Sequence, residues 1–190
     1  CQTLDSEAFE TTGKTIKVRA RHFVLSAGAI GSPAVLMRSD APDPHNNLGK
    51  RTFLHPVNSC SATMANEVKP YEGAPQSIYS DQFLWRDGVA GEIGFKLEAA
   101  PAFPGGIAAQ EALFGDTLAK RMNSLPHTQS MIALLRDGFN EESSGGEVVL
   151  RSDGSPVLDY PVNDYLISGF IESYLAMAEA QFAAGAKTVT

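Results

Sequence analysis

The sequence predicts an α+β fold, in which the edge of a layered α/β domain precedes an antiparallel sheet with helices on one face. Three observations predict it. A strand, a glycine turn and a helix follow one another within the first 40 residues. Several short strand candidates follow a turn-rich linker, and a long amphipathic helix closes the chain.

The first predicted unit is half of an α/β element. Residues 14–20 alternate between apolar and polar side chains, which is typical of a half-buried strand. Residues 23–27 form an apolar run that predicts a strand covered on both faces. Gly28 then breaks the strand. Ser32 is a favourable N-cap and Pro33 a favourable first residue, so the sequence predicts a short helix from there to about residue 39.

Residues 40–50 are rich in proline, asparagine, aspartate and glycine, which indicates a linker and a domain boundary. Alternation and a high content of β-branched and aromatic residues predict the strands that follow. These candidates are residues 56–64, 76–85, 91–97, 129–136, 147–151 and 157–160. Asp153-Gly154 lies between the last two and predicts a hairpin turn.

Two helices are predicted within and after these strands. Residues 106–123 carry apolar side chains near helical spacing. Residues 164–184 carry a stripe spaced by three or four, which predicts a core-facing side, and Gly185 fits the C′ position. The members of that stripe are Ile167, Phe170, Ile171, Tyr174, Leu175, Ala178 and Phe182.

Composition excludes several classes of protein. The 190 residues contain 43% hydrophobic and 19% charged residues, which is typical of a globular chain. The net charge of −7, without a basic run, argues against nucleic acid or anionic membranes as partners. No apolar stretch approaches the roughly 20 residues of a membrane span. Because the chain also lacks a signal peptide and a starting methionine, we expect an internal piece of a longer protein.

Cysteine and histidine patterns do not predict a metal site. The two cysteines, Cys1 and Cys60, form no C-x-x-C pair, and Cys60 lies within a predicted strand, where a buried inert thiol is expected. No two histidines are spaced by four residues, and no carboxylate accompanies them at ligand spacing. His55 is expected to fix the chain by a hydrogen bond rather than to transfer a proton.

One segment resembles the second signature of the glucose–methanol–choline (GMC) oxidoreductases. That signature places Gly-Ala two residues before Ser-Pro and ends at Ser-Gly, and this chain follows it from Gly28 to Ser39. Asp40 departs from it, since the family usually has glycine there. Downstream, Gly49 and His55-Pro56 match the family, whereas Phe53 replaces its usual asparagine. Weaker matches occur at residues 146–148, 161–164 and 183–186.

The resemblance implies an FAD enzyme that oxidises an alcohol by hydride transfer to the flavin, similar to a choline or alcohol dehydrogenase. It implies residues 1–45 as the C-terminal portion of an FAD-binding domain and residues 46–190 as a substrate-binding domain that is incomplete at its C-terminus. The implied cofactor-binding residues are Ala27, Gly28, Ala29, Ser32 and Pro33. Phe83, Trp85 and Phe95 lie on neighbouring candidate strands and could line a substrate pocket.

The resemblance also implies what this sequence omits. The family binds the FAD pyrophosphate on a Gly-x-Gly-x-x-Gly loop, and no such spacing occurs here. The family's catalytic histidine is expected beyond Thr190, so no catalytic residue is assigned within the chain. We therefore expect the 190 residues to be inactive alone. The alcohol, the electron acceptor and the cellular compartment are not readable from these residues.

Several alternatives remain open at this point. Small residues at a strand–helix turn often serve only close packing, and the three aromatic residues fit a plain core role as well as a pocket. Another flavin or nicotinamide enzyme could share the strand–Ala-Gly-Ala–helix element. A non-catalytic binding or structural domain could keep the same sheet.

Overall fold

The computed structural model describes residues 2–74, 76–86 and 89–190, apart from the side chain of Gln110. Within them lie a five-stranded antiparallel sheet, two separate hairpins and four α-helices. The strands are β1 (Gln2–Leu4), β2 (Thr11–Thr15), β3 (Val57–Met64), β4 (Tyr79–Ser80), β5 (Phe95–Ala100), β6 (Thr128–Leu135), β7 (Glu147–Leu150), β8 (Pro156–Asp159) and β9 (Ala186–Val189). The helices are α1 (Gly28–Arg38), α2 (Pro104–Gln110), α3 (Gly115–Asn123) and α4 (Asp164–Ala183). The predicted mixed fold with an antiparallel sheet is therefore confirmed.

The main sheet has the strand order β4-β5-β6-β3-β9. β6 is central, and it pairs with β3 over Thr128–Leu134 and with β5 over Ser130–Leu135. Because side chains alternate along a strand, Cys60, Phe95 and Ala133 point to one face and are buried there. α4 packs on that face against β3, β5, β6 and β9.

The buried side of α4 differs from the predicted stripe. Leu166 and Met177 are buried there together with three small or polar residues, Gly169, Ser173 and Gln181. Most of the predicted apolar stripe is exposed instead, namely Ile167, Ile171, Tyr174, Leu175 and Phe182. The prediction was wrong because close approach to the sheet and paired polar groups, rather than apolar area, decide which side of this helix is buried.

The two strands predicted before α1 are not formed. Residues 16–26 contain no strand, and only Thr11–Thr15 pairs, with β1, in a hairpin that is exposed except at the half-buried Thr3. Phe23 is 75% exposed and Val24 is 88% exposed. A strand that is buried on both faces needs neighbouring strands, and the described residues supply none for this run.

α1 begins five residues before the predicted position. Gly28 has a φ of +76°, which glycine adopts without steric cost, so the chain turns directly into the helix there. Ala27 is the N-cap, and Pro33 lies inside the helix. The prediction of Ser32 as N-cap and Pro33 as first residue is therefore wrong, although Ser32 Oγ does accept a hydrogen bond from the Ala27 N–H at 3.1 Å.

The middle of the chain also differs from expectation. The helix predicted over 106–123 is two helices, and Ala112 and Gly115, which both have positive φ, lie in or next to the break between them. Only Tyr79–Ser80 of the candidate strand 76–85 pairs in the sheet, and the strand predicted over 91–97 is displaced to Phe95–Ala100. Propensity alone could not place these bounds, since pairing with neighbouring strands sets them.

The Asp153-Gly154 hairpin is confirmed, because β7 and β8 pair in antiparallel register around it. This hairpin packs against α1, although α1 precedes the turn-rich segment 40–50 and the hairpin follows it in sequence. Arg38 Nε donates to Gly154 O at 2.7 Å, and the side chain of Ala34 is fully buried. The domain boundary in that segment stays a prediction.

Among the described residues, no helix is long and apolar enough to cross a membrane. Cys60 is buried at 4% exposure, as predicted, and burial raises the pKa of its thiol. Cys1 lies outside the described residues.

Candidate functional site

The N-terminus of α1 presents small side chains to solvent. Ala27, Gly28 and Ala29 are exposed, and a Cβ added at Gly28 would meet no atom within 4 Å. At Gly31, by contrast, an added Cβ would lie 3.0 Å from the Cβ of Ala27. Gly28 therefore leaves room for a bound group to approach the backbone, whereas Gly31 serves the packing of the turn itself.

The same end of α1 offers backbone hydrogen-bond donors. The first N–H groups of any α-helix have no intrahelical acceptor, and they carry the positive end of the helix dipole. Here Ser32 Oγ accepts a hydrogen bond from the Ala27 N–H, and no acidic side chain lies in the first turn of the helix. Ala29 and its neighbours thus form an open end that fits an anionic group such as a phosphate.

Two departures from the GMC pattern have structural explanations. Asp40 has a φ of +47°, the left-handed region that glycine adopts freely and aspartate tolerates. Phe53 packs on two glycines, since a Cβ at Gly138 or Gly145 would lie within 3.0 Å of its ring. Each substitution therefore fits the local geometry of this chain.

The matching Gly49 ties α1 to the β7–β8 hairpin. Its φ is +79°, and an added Cβ would lie 2.6 Å both from Met37 Cε and from Val148 O. Its carbonyl accepts the Val148 N–H at 2.8 Å. A glycine is therefore needed where the helix that carries the small-residue end meets the hairpin.

The sheet face opposite α4 carries polar side chains. Glu98 lies 3.1 Å from Lys96 Nζ, and it accepts a hydrogen bond from Gln76 Nε2 at 2.7 Å. The hydrogen bond to Glu98 raises the pKa of Lys96, and its ammonium lies 4.1 Å from the ring centroid of Tyr79. These charges are therefore already paired on the protein.

A cavity of about 250 Å³ lies at one end of this sheet, and we call it the loop–sheet cavity. Its walls come from the ends of β5 and β6 and from the loop that precedes β4. The lining includes Val68, Lys69, Tyr71, Glu72, Ile78 and Ser130.

The predicted aromatic pocket residues lie elsewhere. Phe95 is buried in the core under α4, and Phe83 stacks on it with ring centroids 5.0 Å apart. Trp85 is 64% exposed and stacks on Arg136, whose guanidinium carbon is 4.0 Å from the ring centroid. This geometry favours the core role for Phe83 and Phe95, and the substrate-pocket assignment stays a prediction.

The structure also shows the positions of three further residues that could take part in a site, namely His55, Tyr71 and Ser130. His55 is exposed and does not join a group of possible metal ligands within the described ranges. Tyr71 and Ser130, which line the loop–sheet cavity, carried no signal in the sequence. They become neighbours only because a loop folds back over the end of the sheet, so no local spacing could have indicated them.

Comparison with known proteins agrees with the signature at α1. Residues 1–57 match the family model described as GMC oxidoreductase. Two relatives, described as uncharacterized GMC-type oxidoreductases and found in two strains of Mycobacterium tuberculosis, are each 30% identical over 146 residues. Those residues cover 76% of this chain and 22% of each relative, so the chain spans about a fifth of their length. This protein chain belongs to the GMC oxidoreductase family.

Proposed function

We propose that this chain is part of an FAD-dependent oxidoreductase that oxidises an alcohol. Residues 1–45 would complete its FAD-binding domain, and residues 46–190 would form most of its substrate-binding domain. The proposal rests on family membership and on one structural observation, the exposed small-residue end of α1.

That end has the chemistry that an anionic part of FAD requires. Gly28 leaves the backbone accessible, Ala27 and Ala29 are small, and Ser32 with Pro33 continues a helix whose free N–H groups favour negative charge. When bound, the flavin would accept a hydride from the alcohol carbon. This chain would bind and orient both molecules. In this proposal α1 contacts the cofactor, and the polar face of the sheet forms one wall of the substrate site.

The chain is proposed to be inactive by itself. Hydride transfer requires flavin, substrate and a proton acceptor to be held together. The sequence contains no Gly-x-Gly-x-x-Gly loop. Titration of the isolated chain with FAD, followed by flavin fluorescence, is expected to show no micromolar binding.

A matched pair of glycine variants tests the cofactor assignment. Gly28 and Gly13 have φ values of +76° and +73°, and an added Cβ meets no atom within 4 Å at either position. In a polypeptide that joins this chain to a family Gly-x-Gly-x-x-Gly unit, Gly28→Ala is expected to weaken FAD binding about tenfold, a loss of about 1.4 kcal/mol. Gly13→Ala carries the same backbone strain in the β1–β2 hairpin and is expected to leave binding unchanged.

Equal effects of the two variants would contradict the assignment, because backbone strain alone would then explain the loss. Failure of the joined polypeptide to bind FAD at all would favour the non-catalytic alternative. Tight binding by the isolated 190 residues would instead show that α1 and its surroundings suffice for the cofactor.

A further inference from the structure

The loop that covers the loop–sheet cavity is fixed by backbone hydrogen bonds on both of its sides. Val68 N–H donates to Pro126 O at 2.8 Å, and Ala102 N–H donates to Pro70 O at 3.1 Å. Farther along, Ala99 N–H donates to Ile78 O at 3.0 Å. The loop is therefore held against the ends of β5 and β6, and the cavity is bounded by paired backbone.

Most polar groups around the cavity are already engaged. Thr128 Oγ1 donates to Ser124 O at 3.3 Å and accepts from Arg121 Nη1 at 3.4 Å. Gln129 donates from Nε2 to Ser130 O at 3.2 Å and accepts at Oε1 from Gln181 at 2.6 Å. These side chains offer little to a ligand without losing a partner.

Two hydroxyl groups of the lining differ from this pattern. Among the described residues, neither Ser130 Oγ nor the Tyr71 hydroxyl has a hydrogen-bond partner. Both groups can donate and accept. Val68, Ile78 and Ala100 add apolar side chains to the same lining. This combination fits a small ligand that is mainly apolar and carries a hydroxyl group.

The charged side chains around the cavity, as far as the structure describes them, are all engaged by other charged or polar groups. Lys69 Nζ and Glu72 Oε1 are 3.6 Å apart, and both side chains are open to solvent. Glu98, on the adjoining sheet face, is engaged by Lys96 and Gln76. A cation that entered the cavity would lose hydration and find no carboxylate free of a partner among the described lining residues, and an anion would find no free cationic group there.

We propose that the loop–sheet cavity binds a small uncharged alcohol through the hydroxyls of Ser130 and Tyr71, and that it discriminates against cationic alcohols such as choline. That this ligand is the substrate of the enzyme rests on the proposed function. Binding itself depends only on the cavity, and it can therefore be measured without flavin.

Choline and its uncharged carbon isostere, 3,3-dimethylbutan-1-ol, are the two probes. They share shape and hydroxyl position and differ by the charge. In amide chemical-shift titrations of this chain, the isostere is expected to perturb Tyr71, Ile78, Ala100 and Ser130. Its affinity is expected to exceed that of choline about tenfold or more, because only choline must give up ionic hydration.

Side-chain variants locate the contact. Ser130→Ala and Tyr71→Phe each remove one hydroxyl and are expected to weaken binding of the isostere about fivefold, the effect of one neutral hydrogen bond. Ser59→Ala removes a serine hydroxyl from the same face of the sheet, on β3 and outside the cavity lining, and is expected to have no effect.

Choline binding as tightly as the isostere would overturn the proposal. So would perturbed amides clustered away from the cavity, or affinity that neither hydroxyl variant changes. These results are independent of the glycine pair at α1: a failed cavity titration leaves the FAD assignment intact, and equal glycine effects leave the cavity result intact.

Discussion

The contact between Tyr160 and Asp137 makes the stability of the folded chain depend on pH. Its hydroxyl donates a hydrogen bond to Asp137, which is only 6% exposed, and accepts the Leu54 N–H at 3.4 Å. Burial, followed by the bond to Asp137, raises the pKa of Tyr160 to about 12 from an ordinary value of 10.0. The proton is thus held more tightly in the folded than in the unfolded chain.

Stability is therefore expected to fall between about pH 10 and pH 12, since the unfolded chain loses this proton first. Tyr160→Phe removes the titrating group and costs about 1–3 kcal/mol below pH 10, because Asp137 loses a partner. The free energy difference between wild type and this variant should narrow by about 2 kcal/mol across that interval. Urea unfolding at several pH values measures it.

Tyr174→Phe is the control, because Tyr174 is exposed on α4. Its stability difference from wild type should stay flat over the same interval. A constant difference for Tyr160→Phe as well would mean that the hydroxyl is not held on Asp137.

At the scale of the element, α4 is seated by close approach and by polar pairs. A Cβ at Gly169 would lie 2.2 Å from Ile93 Cγ2, so glycine is needed for the helix to reach the sheet at this depth. Ser173 exchanges hydrogen bonds with Asn58 at 3.0 and 3.2 Å. Gln181, 2% exposed, bonds Gln129 as well as Cys60. Buried polar groups paired in this way favour one register of the helix over others.

Gln181→Ala is expected to destabilise the chain by about 2–4 kcal/mol, because it leaves a cavity and unpaired polar groups beneath α4. A double-mutant cycle with Gln129→Ala should show coupling of about 1 kcal/mol or more. Glu179→Ala, on the exposed side of the same helix, is the control and should change stability by no more than about 0.5 kcal/mol. Additive effects of the two glutamine variants would show that their hydrogen bond contributes nothing.

At the scale of the whole molecule, the chain is unevenly stabilised. The sheet with α4 holds a continuous core, and the β7–β8 hairpin holds α1. Residues 16–26 have no regular secondary structure and are exposed throughout. Segments with little burial and few backbone hydrogen bonds open at the lowest free energy.

Limited trypsin digestion of the native chain should therefore cut first after Lys17, Arg19 or Arg21. Lys96 lies on β5, which pairs with β6 inside the sheet, so cleavage after it should occur only after global unfolding. Mass spectrometry of early fragments identifies the order. A first cut after Lys96 would place the weakest region in the sheet instead.

Local signals were sufficient for some features of this protein. Alternation located β3 and β6 within one or two residues, Asp153-Gly154 located a hairpin, and Gly185 marked the end of α4. The signature from Gly28 to Ser39 identified the family. These succeed because strand alternation, tight turns and glycine conformations depend on neighbouring residues in sequence.

Only the tertiary structure decided which side of α4 is buried, where α1 begins and which residues meet at the loop–sheet cavity. Gly169, Ser173 and Gln181, rather than the apolar stripe, lie on the buried side of α4. The reason is that close approach to the sheet and paired polar groups outweigh apolar area in deciding which side faces the sheet. Tyr71 and Ser130 share a cavity because a loop folds back over the sheet. Contacts between residues far apart in sequence leave no periodic trace. The sequence alone therefore determined the family, the candidate cofactor end of α1 and the elements with strong local signals, whereas packing determined the remaining bounds and the loop–sheet cavity.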